Sequence, residues 1–281
     1  MKVLAIDIGG THVKLLVTGQ KAHSEFDSSS GLTPAMLLAG VRKLAKDWKY
    51  DAVALAYPGP VWHNRPLAEP FNLGKGWVGF DFGAAFKRPV KIINDAAMQA
   101  LGSYRRGRML FLGLGTGLGS AMIVDGVLEP MELGHLPYKK ATFEDYVGIR
   151  GLKKFGKKKW RKHVADVVRR LIAALEPDDV VLGGGNIHKL NVLPPGCRAG
   201  DNDNAFLGGF RLWPDAGTDQ TAVRARLVSN SARKPKPSSR PKPKINKYEI
   251  YDQTTHPTPR LESPRRTSQA NPNTIPAKTL R

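Results

Sequence analysis

The sequence holds a single cysteine, Cys197, in 281 residues. That excludes an internal disulfide framework and any cysteine cluster around zinc. Acidic residues are also scarce, with 24 Asp and Glu against 44 Lys and Arg, a formal charge of +20 at pH 7. An excess of this size points to a polyanionic partner. Long apolar runs are missing. Nothing approaches the roughly 18–20 uninterrupted apolar residues of a membrane span. Asp7 and the glycines after it break the first apolar run, so no secretory signal is expected. These absences lead us to expect a soluble, cytoplasmic protein that is not held at a membrane. What is present is an apolar share of 41%, enough for a core, so wholesale disorder is excluded.

The charge is uneven. Residues 214–281 carry 14 Lys/Arg, 5 Asp/Glu and 10 of the 21 prolines, whereas residues 1–213 carry 30 Lys/Arg and 19 Asp/Glu. Within the former, Arg233–Lys244 reads RKPKPSSRPKPK. Such a segment buries too little apolar surface to offset its ordering entropy. A disordered, basic Lys/Pro-rich tail is therefore expected over 214–281, with extended polyproline-like stretches.

The rest reads as α/β. Lys2–Asp7 is a strand, Ile8–Thr11 a glycine turn, and His12–Thr18 a second strand. Thr33 and Pro34 mark a helix start. Ala52–Ala56 and Val90–Ile93 read as short strands, and Ala96–Tyr104 as a helix. The plan then recurs: strand Met109–Leu114, glycine turn Gly113–Gly119, strand Ser120–Val124. A helical pattern over Val164–Leu175 leads to strand Val180–Leu182. Two copies of one hairpin plan suggest two related lobes about a cleft, roughly residues 1–95 and 96–213.

Three segments carry chemistry. In Asp7-Ile8-Gly9-Gly10-Thr11, Gly9 and Gly10 let backbone N–H groups approach a phosphate, the Thr11 hydroxyl adds a hydrogen bond, and Asp7 suits a hydrated Mg²⁺. A plain tight hairpin is the alternative. Gly113-Leu114-Gly115-Thr116-Gly117-Leu118-Gly119 is a second such turn. It lacks the following helix of the dinucleotide fingerprint and the Lys-Ser/Thr of the P-loop. Asn94-Asp95 sits between a strand and a helix. Asp95 can take a proton from a hydroxyl and Asn94 can bind a neighbouring one, yet both are also ordinary helix caps. Glu132, His135 and Glu144 add groups suited to a polyol.

Together and in this order, these pieces resemble the ROK family of the ASKHA superfamily of sugar kinases and actin-like ATPases, and particularly its polyphosphate glucokinase branch. The resemblance covers about residues 1–213. It implies a two-lobed actin-like, ribonuclease H-like fold. It also implies phosphoryl transfer from polyphosphate and/or ATP to the 6-hydroxyl of glucose or a related hexose. Asp95 would be the catalytic base, and Asn72, Asn94, Glu132, His135 and Glu144 would bind the sugar. Gly9, Gly10, Thr11, Gly115, Thr116, Gly117, Gly184 and Gly185 would bind phosphate or nucleotide. Asp7 would hold Mg²⁺ through water, and a homodimer is implied. Most ROK proteins carry a Cys-rich zinc element before the position of Glu144. Here Lys139-Lys140-Ala141-Thr142-Phe143 stands in its place, so no zinc is expected.

Residues 139–170 hold 12 Lys/Arg against Glu144, Asp145 and Asp166. This basic track suits inorganic polyphosphate, which carries a charge on every unit. A solvated helix face is the alternative. No helix-turn-helix or stacking platform supports a nucleic-acid partner.

Overall fold

The structure is a computed structural model and describes residues 1–213. The tail expected over 214–281 lies outside the described residues.

Strand β1 (Val3–Ile8) is buried along almost its whole length, as an apolar run covered on both faces should be. The glycine turn reverses the chain into β2 (His12–Val17), where burial alternates residue by residue, as the period-2 pattern of Val13, Leu15 and Val17 requires. Next come β3 (Ser24–Asp27), α1 (Pro34–Leu44) and β4 (Ala52–Tyr57). After them follow the short pair β5 (Val61–Trp62) and β6 (Arg65–Pro66), then α2 (Phe82–Phe86) and β7 (Val90–Asn94). Thr33 caps α1 by accepting the Met36 N–H at 3.3 Å. The sheet order is β3-β2-β1-β4-β7. The hairpin strands pair antiparallel, and β1, β4 and β7 run parallel.

Helix α3 (Asp95–Ser103) leads into the second sheet. Its strands are β8 (Arg108–Leu114), β9 (Leu118–Val124) and β10 (Val127–Met131), joined later by β13 (Asp179–Gly183) and β14 (Cys197–Ala199). Between them lie the small hairpin of β11 (Pro137–Tyr138) and β12 (Ala141–Thr142), helix α4 (Phe143–Val147) and helix α5 (Ile149–Leu175). The order β10-β9-β8-β13-β14 repeats the plan of the first sheet, with the hairpin strands antiparallel and β8, β13 and β14 parallel. The hairpins read from the sequence at 2–18 and 109–124 are thus equivalent members of two like sheets.

Helix α5 covers the second sheet with Trp160, Val164, Val167, Val168 and Leu171. The indole of Trp160 is fully buried and donates to the Val147 carbonyl at 2.7 Å. Gly156, with φ 71° and ψ 162°, kinks the helix.

The last described helix, α6 (Asn204–Arg211), crosses back to the first sheet. A Cβ on Gly209 would meet those of Ala5 and Ala54. Against α3 the approach is closer still. A Cβ on Gly102 would overlap the Asn204 carbonyl, and one on Gly208 the Met98 carbonyl. Arg211 then donates to the carbonyls of Leu101, Gly102 and Tyr104, satisfying the bare C-terminal end of α3.

Candidate functional site

Parallel strands deliver their C-terminal ends to one edge of a sheet, where open α/β folds bind ligands. In the first sheet the register pairs Asp7 with Ala56, Ala56 with Ile93, and Tyr57 with Asn94. Asp7, Asn94 and Asp95 therefore share that edge. In the second sheet Gly113 pairs with Gly183, which sets two glycine motifs side by side.

Asp95 is the first residue of α3, and its Oδ1 accepts the Ala96 N–H at 2.7 Å. Desolvation, the charge of Asp7 and then that of Glu132 push its pKa up to about 7, against the backbone hydrogen bonds that favour the carboxylate. Asp7 rises to about 6, chiefly by desolvation, with Lys14 opposing and Asp203 adding to the rise. Asn94 does cap α3, since its Oδ1 accepts the Ala97 N–H at 3.2 Å and its Nδ2 donates to the Gly59 carbonyl at 3.2 Å. One N–H and one lone pair of this amide are left for another group.

Glu132 precedes the 3₁₀ turn Leu133–His135. Its pKa is raised by burial and by Glu144, and opposed by His135. Glu144, on α4, points its carboxylate at the second glycine turn, where a Cβ on Gly117 would collide with Oε2. Arg150 donates to Glu144 Oε1 at 3.0 Å and pairs with Asp145 at 2.9 Å. Asp145 also accepts the Thr142 hydroxyl at 2.7 Å, and these partners hold its pKa low. Asn72 donates to the Thr116 hydroxyl at 3.5 Å, linking the 69–78 loop to the second glycine turn. That loop is braced by Glu69, which accepts the N–H groups of Trp77 and Val78.

The glycines divide into two sorts. Gly9, Gly117 and Gly184 abut other atoms: the His12 carbonyl, Glu144 and the Leu114 backbone. Gly10, Gly115 and Gly185 face open space, so nothing in the fold itself requires them. Thr11 Oγ1 contacts His12 Nδ1 at 3.0 Å. Asn186 is buried and donates to the Gly115 carbonyl at 2.9 Å, fixing the Gly184-Gly185-Asn186 turn after β13 against the second glycine turn.

The structure thus links Asp7, Asp95, Glu132, His135 and Glu144 electrostatically, and Asn72, Thr116, Gly117 and Glu144 by contact. On sequence grounds Lys14 and Glu69 carry no role, and Arg150 stands only among the basic residues of 139–170. Lys14 was recoverable, because counting back from the glycine turn pairs it with Asp7. Arg150 follows Glu144 across a helix break at Gly148, and no spacing rule announces it.

Among the described residues, no group of three or more His, Cys, Asp or Glu is arranged to hold a metal. A cation at Asp7 would therefore depend on water and donor phosphates for its remaining ligands, as Mg²⁺ commonly does. The two neighbouring carboxylates, both with raised proton affinity, fit such a cation.

The basic track runs along α5, where Lys153, Lys154, Lys157, Lys158, Lys159 and Lys162 are exposed. A cavity of about 300 Å³ is lined by Tyr138, Lys139, Lys159, Lys162, His163 and Asp166. Tyr138 donates to Asp166 at 2.8 Å. Burial and then Lys139 lower the pKa of His163. Arg108 begins β8 and donates to the Leu175 carbonyl at 2.9 Å. No helix among the described residues is long and apolar enough to cross a membrane.

The ROK family model matches residues 3–145. A polyphosphate glucokinase of Mycobacterium tuberculosis is 31% identical over 216 residues, covering 68% of this chain and 80% of that protein. Among solved structures, an inorganic polyphosphate/ATP-glucomannokinase from Arthrobacter sp. superposes with a TM-score of 0.64 at 24% identity, over 74% of this chain and 96% of that one. A ROK family glucokinase from Streptomyces griseus, in complex with glucose and AMPPNP, gives a TM-score of 0.64 at 15% identity, over 75% of this chain and 99% of that one. The chain belongs to the ROK family, and its fold is that of ROK sugar kinases.

Proposed function

We propose that this ROK protein is a glucokinase-type sugar kinase. It would transfer a phosphoryl group from polyphosphate and/or ATP to the 6-hydroxyl of glucose or a related hexose. The observation that carries the reading is the half-buried Asp95, whose pKa of about 7 suits a base at neutral pH. It sits at the strand edge it shares with Asp7.

Asp95 accepts the proton of the attacking hydroxyl. Asn72, Asn94, Glu132, His135 and Glu144 orient the remaining hydroxyls. That orientation is the main lever, because phosphoryl transfer needs positioning and charge stabilisation more than covalent chemistry. The open backbone at Gly10 and Gly115, with Thr11 and Thr116, receives donor phosphates. Mg²⁺ at Asp7, when bound, neutralises charge on the transferring group. No zinc is required, since Lys139–Phe143 supplies no ligand for it.

The fixed Gly184-Gly185-Asn186 turn supports ATP as a donor, and the lysines of α5 support polyphosphate. The experiment is a parallel assay of both donors against a panel of hexoses. Phosphorylation with polyphosphate supports the reading. Activity with ATP alone contradicts the polyphosphate assignment.

A further inference from the structure

The first lobe has a second concavity, of about 610 Å³, that the proposed chemistry does not use. Its walls include Arg42, Lys46, Lys49, Lys87 and Arg88. The one acidic residue among them, Asp51, already accepts the Lys2 backbone N–H at 2.7 Å. The concavity lies where Asp51 and Arg88 lead into the parallel strands β4 and β7, the opposite edge of the sheet from Asp7 and Asp95. One six-residue strand, about 15–20 Å, separates the two edges.

Helix ends account for two of these cations: Arg42 lies in the last turn of α1 and Lys87 is the C-cap of α2, where positive charge suits the dipole. Lys46, Lys49 and Arg88 lie outside both helices. Both guanidiniums are held in place, Arg42 by the Ala85 carbonyl at 3.2 Å and Arg88 by those of Tyr50 at 3.3 Å and Lys87 at 2.9 Å. Lys87 has the left-handed φ of 51°, where glycine is usual. Lys46, Lys49 and Lys87 have no carboxylate partner among the described residues.

Three aromatic residues share the walls: Trp48, Tyr50 and Phe86. All three pack against the core of the first sheet. Their rings are therefore walls rather than free platforms on which bases would stack, as single-stranded nucleic acid requires. An anion of phosphate groups without flat rings fits this surface better.

We propose that this concavity is a second binding site for inorganic polyphosphate, separate from the donor site. It would hold a distant stretch of a long chain and raise the local concentration of phosphate units near the protein. The choice of polyphosphate rests on the donor reading above.

The test is lysine acetylation footprinting of the full chain by mass spectrometry, with long-chain polyphosphate or a single-stranded oligo(dT) as probe. Polyphosphate should protect Lys46, Lys49 and Lys87 several-fold, leaving Lys21, exposed in the turn after β2 on the same lobe, unprotected. The Lys46→Glu/Lys49→Glu variant should bind long-chain polyphosphate with a shallower salt dependence, by roughly one unit or more in log–log slope. Its ATP-driven turnover should be unchanged. Absent protection, protection no greater than at Lys21, or equal or greater protection by oligo(dT) would overturn the proposal. The readout is binding rather than turnover, so a chain that binds here without serving as donor refutes only the donor reading.

Discussion

Asp7 and Asp95 stand at one edge of the first sheet, and the charge of Asp7 raises the proton affinity of Asp95. A base must be ionised to accept a proton. Activity of the free enzyme should therefore rise with pH through about 7, where Asp95 titrates. Replacing Asp7 with Asn removes a neighbouring negative charge, so the Asp95 pKa should fall. Carbon-13 NMR titration of the Asp95 carboxyl in both proteins measures this. An unchanged or higher value in Asp7→Asn contradicts it.

The same pKa shift carries a stability cost. The folded pKa of Asp95 lies above its ordinary value of 3.8, so the folded state binds the proton more tightly than the unfolded state does. The resulting destabilisation is absent below about pH 4, grows as pH rises, and is complete above about 7. Asp95→Asn should accordingly lose roughly two or more decades of turnover while melting higher than wild type at pH 8. The gap in Tm should shrink toward pH 4. A variant that melts lower at pH 8 would show that the carboxylate stabilises the fold.

The second glycine turn offers a contrast between neighbours. Gly115 faces open space, whereas Gly117 abuts Glu144 Oε2. Gly115→Ala should raise the KM for the phosphoryl donor and leave that for the sugar near wild type. Gly117→Ala should raise both, because the new methyl displaces the carboxylate of Glu144, the proposed sugar ligand. Steady-state kinetics on the two variants checks this. Equal effects on both substrates from Gly115→Ala would count against the division.

Helices α3 and α6 cross on glycines, and Asp95, the proposed base, begins α3. Gly208→Val places a side chain against the Met98 carbonyl and should cost roughly 3 kcal/mol, the upper end for overpacking. Urea unfolding measures this. A wild-type midpoint would mean that the crossing is looser than described.

Much of this architecture is legible in the chain. The hairpins announce themselves through alternating apolar residues about a glycine turn, and Thr33-Pro34 marks a helix start whose cap is made as read. The shared edge of the candidate residues is legible too, because Asp7, Asn94 and Asp95 stand at the C-terminal ends of apolar runs. What the local pattern hides is long-range. The return of α6 to the first sheet depends on glycines at 102 and 208 meeting across more than 100 positions, and no periodicity encodes such a meeting. The 69–78 loop is similarly opaque, since Glu69 holds it through backbone N–H groups that every sequence possesses. Asn94 caps α3, as its place between strand and helix suggests, and keeps an N–H to spare.

The most direct test of the account is phosphorylation of glucose by the full chain, with ATP and polyphosphate in parallel and Asp95→Asn as control. Donor-dependent formation of the 6-phosphate is expected, with polyphosphate serving as a donor, and loss of about two decades of rate in the variant. No product with either donor, or near-normal turnover in Asp95→Asn, would contradict it.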